Sequence, residues 1–137
     1  MPEIAHTAHD MIAGMTPELR GGLFVFATEV GAQATALLRD AIATFQEAEG
    51  VSMILPVDVA QSAGQAVDVP MRCITLNVYS SLEGYGLTAA VATVLAEAKI
   101  ACNMVAAYHH DHAFVPADQA EDALTVLKAL QDRTIRA

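Results

Sequence analysis

Three histidines and an aspartate in four consecutive positions, His109-His110-Asp111-His112, form the densest set of metal-ligating side chains in the sequence. His and Asp are ordinary zinc ligands, but a tetrahedral site needs several of them converging on one point. On extended backbone, adjacent side chains point to opposite faces, so His109 and Asp111 share a side while His110 faces away. A turn gathers at most His109 and His112, with Asp111 beside them. No spacing argument brings His6 or His9 near enough to complete the set. Turn or interface histidines are the favoured reading, and no metal and no cofactor are assigned.

The two cysteines, Cys73 and Cys102, are not in a C-x-x-C pair. Both fall in segments read as strands, where a free Cys packs as a small hydrophobe. A Cys nucleophile needs a nearby His with an orienting partner. Cys102 is about seven residues from the histidines, roughly 20 Å of extended strand. The sequence has no G-x-S-x-G elbow, no phosphate-binding loop and no dinucleotide fingerprint. Glu47 and Glu49 read as solvent-facing. No catalytic residue is assigned, and no enzymatic activity is expected.

The run Ser80-Ser81-Leu82-Glu83-Gly84-Tyr85-Gly86-Leu87-Thr88 is the best candidate for binding. It leads from a predicted strand into a predicted helix, whose first turn offers unpaired N–H groups and a partial positive charge to a carboxylate. Gly84 and Gly86 let a ligand approach the backbone without meeting a Cβ. Ser80, Ser81 and Thr88 supply hydroxyls, and Glu83 can pair with an ammonium group. The alternative is a plain strand-to-helix turn.

The elements that position this loop are clearest in the second half. Met71–Ser80 alternates Ile74, Leu76 and Val78 against Thr75 and Asn77, the period of a strand. Leu87, Ala90, Val91, Val94, Leu95 and Ala98 recur at helical spacing. Cys102–His109 reads as a strand apolar on both faces, implying cover on both sides. His110-Asp111 is read as a tight turn into a strand over His112–Val115, which Pro116 stops. Asp118 and Glu121 suggest a capping box for a helix whose buried stripe is Ala120, Ala123, Leu124, Leu127 and Leu130. Thr134–Ala137 is expected to open a last short strand. The order β-α-β-β-α-(β) is that of an α+β, ferredoxin-like unit with helices packed on an antiparallel sheet.

In the first half, Thr7–Met15 reads as a short helix and Thr16-Pro17 as a turn. Leu23–Thr28 is a strand, followed at Gly31 by an expected hairpin into a strand over Ala36–Arg39. Ile42–Glu49 is read as a short helix closed by Gly50. Val51–Leu55 is a strand, and Val57–Ala63 a helix closed by Gly64. Gln65–Pro70 is the linker. No exact repeat is visible, yet the halves are α/β units of similar size. Two related modules sharing their packing are therefore expected: residues 1–69, with a leading helix, and residues 70–137.

Composition limits the function classes. The chain has 137 residues, 54% apolar and 17% charged, so disorder is not expected. A net charge of −9 with only seven Lys and Arg argues against nucleic acid and anionic membranes. The apolar run Leu87–Ala96 falls well short of the roughly 20 residues a membrane span needs. His6, His9 and Asp10 near the start do not suit a signal peptide. A soluble protein in a reducing cytoplasm is the expectation.

The second half also carries a family likeness. Ile74-Thr75-Leu76-Asn77-Val78, the glycine-containing loop, the helix and Lys99-Ile100-Ala101-Cys102-Asn103-Met104-Val105-Ala106-Ala107-Tyr108 resemble an ACT domain. Such modules recur as regulatory parts of amino-acid-metabolism enzymes, aspartate kinase and phosphoglycerate dehydrogenase among them. Gly86-Leu87 and Asn103 occupy the family's characteristic places, whereas Leu82-Glu83-Gly84-Tyr85 stands where many ACT loops carry Asp-x-Pro. Over roughly residues 20–132 the chain resembles small stand-alone bacterial proteins of two ACT-like modules. The runs Ala43–Gly50, Met71–Leu76 and Tyr108-His109-His110-Asp111-His112-Ala113-Phe114-Val115-Pro116 carry that match.

The resemblance implies a non-enzymatic regulatory protein that binds an amino acid or similar small carboxylate at a module interface. Asn103 would contact the ligand's polar head from a neighbouring module. It also implies a homodimer or an intramolecular module pair, and a regulated enzyme or other partner. The readings from other classes are a structural partner-binding subunit without a small ligand and, less favoured, a metal-binding hairpin.

Overall fold

The computed structural model describes residues 3–137. In chain order the elements are α1 (Ala8–Ala13), β1 (Pro17–Leu19), β2 (Phe24–Glu29), α2 (Gly31–Leu37), β3 (Ala43–Glu47), β4 (Gly50–Pro56), α3 (Val57–Ser62), β5 (Met71–Leu76), α4 (Leu87–Glu97), β6 (Asn103–Ala106), β7 (Asp111–Pro116) and α5 (Ala120–Arg136). They fall into two units. One is contiguous, residues 22–71; the other joins residues 3–21 to 72–137. The leading segment, placed with the first module in a linear division at residue 69, thus has its packing partners in the second half.

In the contiguous unit, β4 pairs antiparallel with β2 (Val25↔Leu55, Ala27↔Met53) and with β3 (Thr44↔Met53, Gln46↔Val51). Val25, Met53 and Leu55 meet Ala34 and Leu37 of α2 and Ala60 of α3 in one small core. Two sequence expectations fail in this unit. Residues 36–39 were expected as a strand after a hairpin at Gly31, but Gly31–Leu37 is helical. Ala32, Gln33, Ala34, Ala36 and Leu37 are good helix formers, and Ala34 and Leu37 bury at helical spacing. Residues 42–49, expected as a helix, are strand β3 and its turn. This strand is largely exposed, Phe45 at 71%, so no alternation marks it. Gly50 begins β4 rather than closing a helix, and a Cβ there would lie 2.8 Å from the Glu29 carbonyl.

In the second unit the strand order is β1-β5-β7-β6. β6 and β7 form a hairpin from Asn103↔Phe114 to Ala106↔Asp111, and β1 pairs with β5 from Pro17↔Leu76 to Leu19↔Ile74. Helices α1, α4 and α5 share one core with the sheet: Met11, Ile12, Met15, Ile74, Leu76, Val91, Leu95, Ala113, Val115, Ala123 and Leu127. The expected packing of the two long helices on one sheet is present.

Four local expectations in this unit are corrected. Thr134–Ala137 opens no strand, because α5 runs on to Arg136, with the Thr134 hydroxyl satisfied by the Leu130 carbonyl. The sheet edge beside β5 is filled from the other end of the chain, by β1. The segment read as a doubly covered strand is shorter and less covered: in β6, Met104 and Val105 are half-buried and Asn103 and Ala106 exposed. The turn lies earlier than His110-Asp111, closed by the Ala107 N–H donating to the His110 carbonyl at 3.0 Å. No capping box forms at Asp118; a 3₁₀ turn over Ala117–Gln119 leads into α5, whose start carries no side-chain cap.

The two units repeat one pattern. Pro56, Asp58 and Ala60 recur sixty positions later as Pro116, Asp118 and Ala120, each set leading from a strand end into a helix. They differ before the preceding helix: Val30 alone separates β2 from α2, whereas residues 77–86 separate β5 from α4. Among the described residues no helix is long and apolar enough to cross a membrane.

Candidate functional site

The long connection between β5 and α4 folds around a cavity of about 410 Å³. Ser80, Ser81, Leu82, Gly84, Tyr85, Gly86, Leu87 and Thr88 line it, together with Met11, Ala89, Ala106, Ala107 and Asp111. The candidate run is therefore gathered around one space, apart from Glu83, which lies on a neighbouring cavity. Asn103 does not line this space either; it opens β6 opposite Phe114, at the far end of the strand from Ala106.

The floor of the site is the start of α4. Gly86, at φ +112°, is its N-cap, and no side chain caps the helix. Its first N–H groups therefore keep their donor capacity, with the helix dipole behind them. Asp111, which sequence reasoning assigned to a turn, enters the site at the first residue of β7, across from Ala106. Its carboxylate accepts from the Ser80 hydroxyl at 3.3 Å. Among the described residues, Asp111 is the cavity's one acidic or basic lining residue. The arrangement sets a carboxylate acceptor near a helix start that favours anions, which suits a zwitterion. Reading the hairpin register correctly would have revealed it.

The glycines serve a second purpose. The leading segment lies along this loop: the Ala5 N–H donates to the Tyr79 carbonyl at 2.7 Å and the Ser81 N–H to the Ala5 carbonyl at 2.9 Å. A Cβ on Gly86 would stand 2.6 Å from the Ala8 Cβ, and one on Gly84 would meet the His6 carbonyl at 3.1 Å. The chain itself, rather than a ligand, makes the close approach.

The histidines have separate partners. His110 Nδ1 lies 3.3 Å from the Val78 carbonyl, and His109 meets Tyr79 at a tilt and Tyr108 edge to face. His112 Nδ1 lies 3.0 Å from the Thr75 hydroxyl, which also accepts from Arg20 at 3.3 Å. Cys73 Sγ sits 3.9 Å from both Thr75 Oγ1 and His112 Nδ1. Burial pushes the Cys73 thiol up, more than the Thr75 hydrogen bond and Arg20 lower it. Cys102 is pushed up by burial alone. Both thiols are thereby kept from the reactive thiolate form.

His112 is held below the ordinary imidazole value by burial first, then by His110 and Arg20, with Asp111 opposing. A base whose folded value is lowered takes up its proton more readily in the unfolded chain. Its contribution to stability is present above about pH 6.5 and is lost as pH falls from there through the folded value. Chemical denaturation across that window should show stability falling with acid, and His112→Gln should flatten the fall. An unchanged slope in His112→Gln would remove His112 as its source.

Residues 68–129 match one model of the ACT domain and residues 7–72 match another. A Vibrio cholerae protein of unknown function, described as a possible transport protein, is 45% identical, with a TM-score of 0.78 over 88% of this chain and 92% of that one. The regulatory subunit of aspartate kinase from Thermus flavus shares the fold at 12% identity and a TM-score of 0.53, over 83% of this chain and 95% of that one. An aspartokinase structure with alpha and beta subunits does so at 13% and 0.61, over 85% and 97%. No curated protein matches the chain significantly. Matched along both halves by models of one domain, the chain belongs to the ACT-domain family as two such modules in tandem.

Proposed function

We propose that this protein is a regulatory, non-catalytic sensor that binds an amino acid or a similar small carboxylate in the cavity between the 80–88 loop and the β6–β7 hairpin. One observation carries the reading: an uncapped helix start and the Asp111 carboxylate line the same cavity of about 410 Å³. The ligand's carboxylate sits against the N–H groups near Gly86 and Leu87, and its ammonium group pairs with Asp111. Ser80, Ser81 and Thr88 add hydroxyls. Membership of a family whose modules serve as regulatory parts of enzymes supports the same role. Glu83 and Asn103 stand outside this cavity, so they would act through a neighbouring module or a second copy, and occupancy would then be passed to a partner protein.

A thermal-shift screen of the ligand-free protein against the twenty amino acids and small carboxylates tests the proposal. At least one amino acid should raise the melting temperature by mass action. Asp111→Asn should weaken amino-acid binding by about 1–3 kcal/mol while sparing simple carboxylates. A folded protein that responds to none of them would overturn the proposal and leave a partner-binding subunit without a small ligand.

A further inference from the structure

A second cavity, of about 340 Å³, shares Ser80, Ser81 and Leu82 with the first but is otherwise lined by different residues. Its chemistry differs from that of the first. Tyr79, Tyr108 and His109 are among its lining residues, joined by Ile4, His6 and Leu82. The rings form a connected cluster: His109 lies 5.0 Å from Tyr108, edge to face, and 5.6 Å from Tyr79. Among the described residues, Glu83 is the one carboxylate of the lining, beside the imidazoles of His6 and His109, and no Lys or Arg contributes.

Aromatic faces are electron-rich and attract a cation that sheds its water at low cost, above all a methylated or alkylated ammonium. A carboxylate beside such rings adds a Coulomb attraction that a neutral ligand cannot use. Small inorganic cations gain little here, because apolar ring faces do not replace their hydration shells, and an anion meets Glu83. We infer that this cavity, built by Tyr79, Tyr108, His109 and Glu83, is a binding site for an alkylated organic ammonium ion. This inference is independent of the amino-acid site and survives if that site proves empty.

The sequence supplies its own reporter: there is no Trp, and two of the three tyrosines line the cavity. Tetramethylammonium chloride is titrated into the whole protein in mildly alkaline buffer, where an ordinary imidazole is neutral. Tyrosine fluorescence and the tyrosine ring NMR signals are followed. Sodium chloride controls for ionic strength, and tert-butanol serves as a neutral molecule of similar shape. Saturable changes at Tyr79 and Tyr108 are expected with tetramethylammonium alone. Glu83→Gln and Tyr108→Leu should each weaken binding about three- to tenfold. Both positions are exposed, Tyr108 at 77%, so the variants should keep the fold. Glu121→Gln, on the exposed side of α5, should bind as the parent does. Equal response to tert-butanol, no saturation, or parent-like binding in both Glu83→Gln and Tyr108→Leu would each overturn the inference.

Discussion

Leu127→Ala is expected to lower the unfolding free energy by about 2–5 kcal/mol. Leu127 is completely buried at the centre of α5, where the stripe of Ala120, Ala123 and Leu127 meets the sheet and the two other helices of its unit. Removing the isobutyl group forfeits its transfer free energy and leaves a cavity that rigid neighbours such as Val91 and Val115 fill poorly. Urea denaturation followed by circular dichroism measures the loss. Ile135→Ala on the same helix, 58% exposed, should cost no more than about 0.5 kcal/mol. Equal losses at the two positions would mean that the stripe facing the sheet has been misassigned.

The second large effect is expected at the start of α4. Gly86→Val combines two penalties: a β-branched residue held at φ +112°, and a Cβ only 2.6 Å from that of Ala8. Strained backbone of this kind costs on the order of 1–3 kcal/mol, and overpacking about as much again. With the backbone and Ala8 in view, the substitution should displace the leading segment as well. Ala8→Gly should recover the steric part but not the backbone part, so the double variant should fall between the parent and Gly86→Val. Melting temperatures of the four proteins give the coupling. A Gly86→Val protein as stable as the parent would refute the close packing of α1 on the loop.

What was legible in the sequence follows from where water lies. Val91, Leu95 and Leu127 bury on one side of their helices, and Ile74 and Leu76 alternate with the polar Thr75 and Asn77, so their spacing announces helix or strand before any coordinates, although Thr75 itself is buried. Strand β3 is wet on both faces and had no such signature; the Thr44-Phe45 preference for extended backbone was the only local sign. Helix α2 begins at a glycine preceded by an uncapping valine, which hides a helix start from any rule based on capping residues. Thr134-Ile135 reads as β-forming, yet the long helix continues through it. The candidate loop stood out because glycines and hydroxyls cluster there. Asp111 was missed because its place depends on a register two positions away from the one expected, and register is set by pairing rather than composition.

The sharing of one unit between the two ends of the chain bears on the order of assembly. Residues 22–71 close within fifty positions: β3 and β4 form a tight hairpin, and β4 returns to β2 across residues 30–49. The leading segment has partners far along the chain. Arg20 bonds to Thr75 fifty-five positions away, and Ala13 accepts from Gln131 at a separation of 118. Contacts of such range are slow to form. During synthesis α1 emerges well before α5, yet it cannot find its place on α5 until residues 120–136 have left the ribosome. Helix α1 is therefore made before residues 22–71 but docks after them, and the loop beneath it stays open to solvent until α5 is in place.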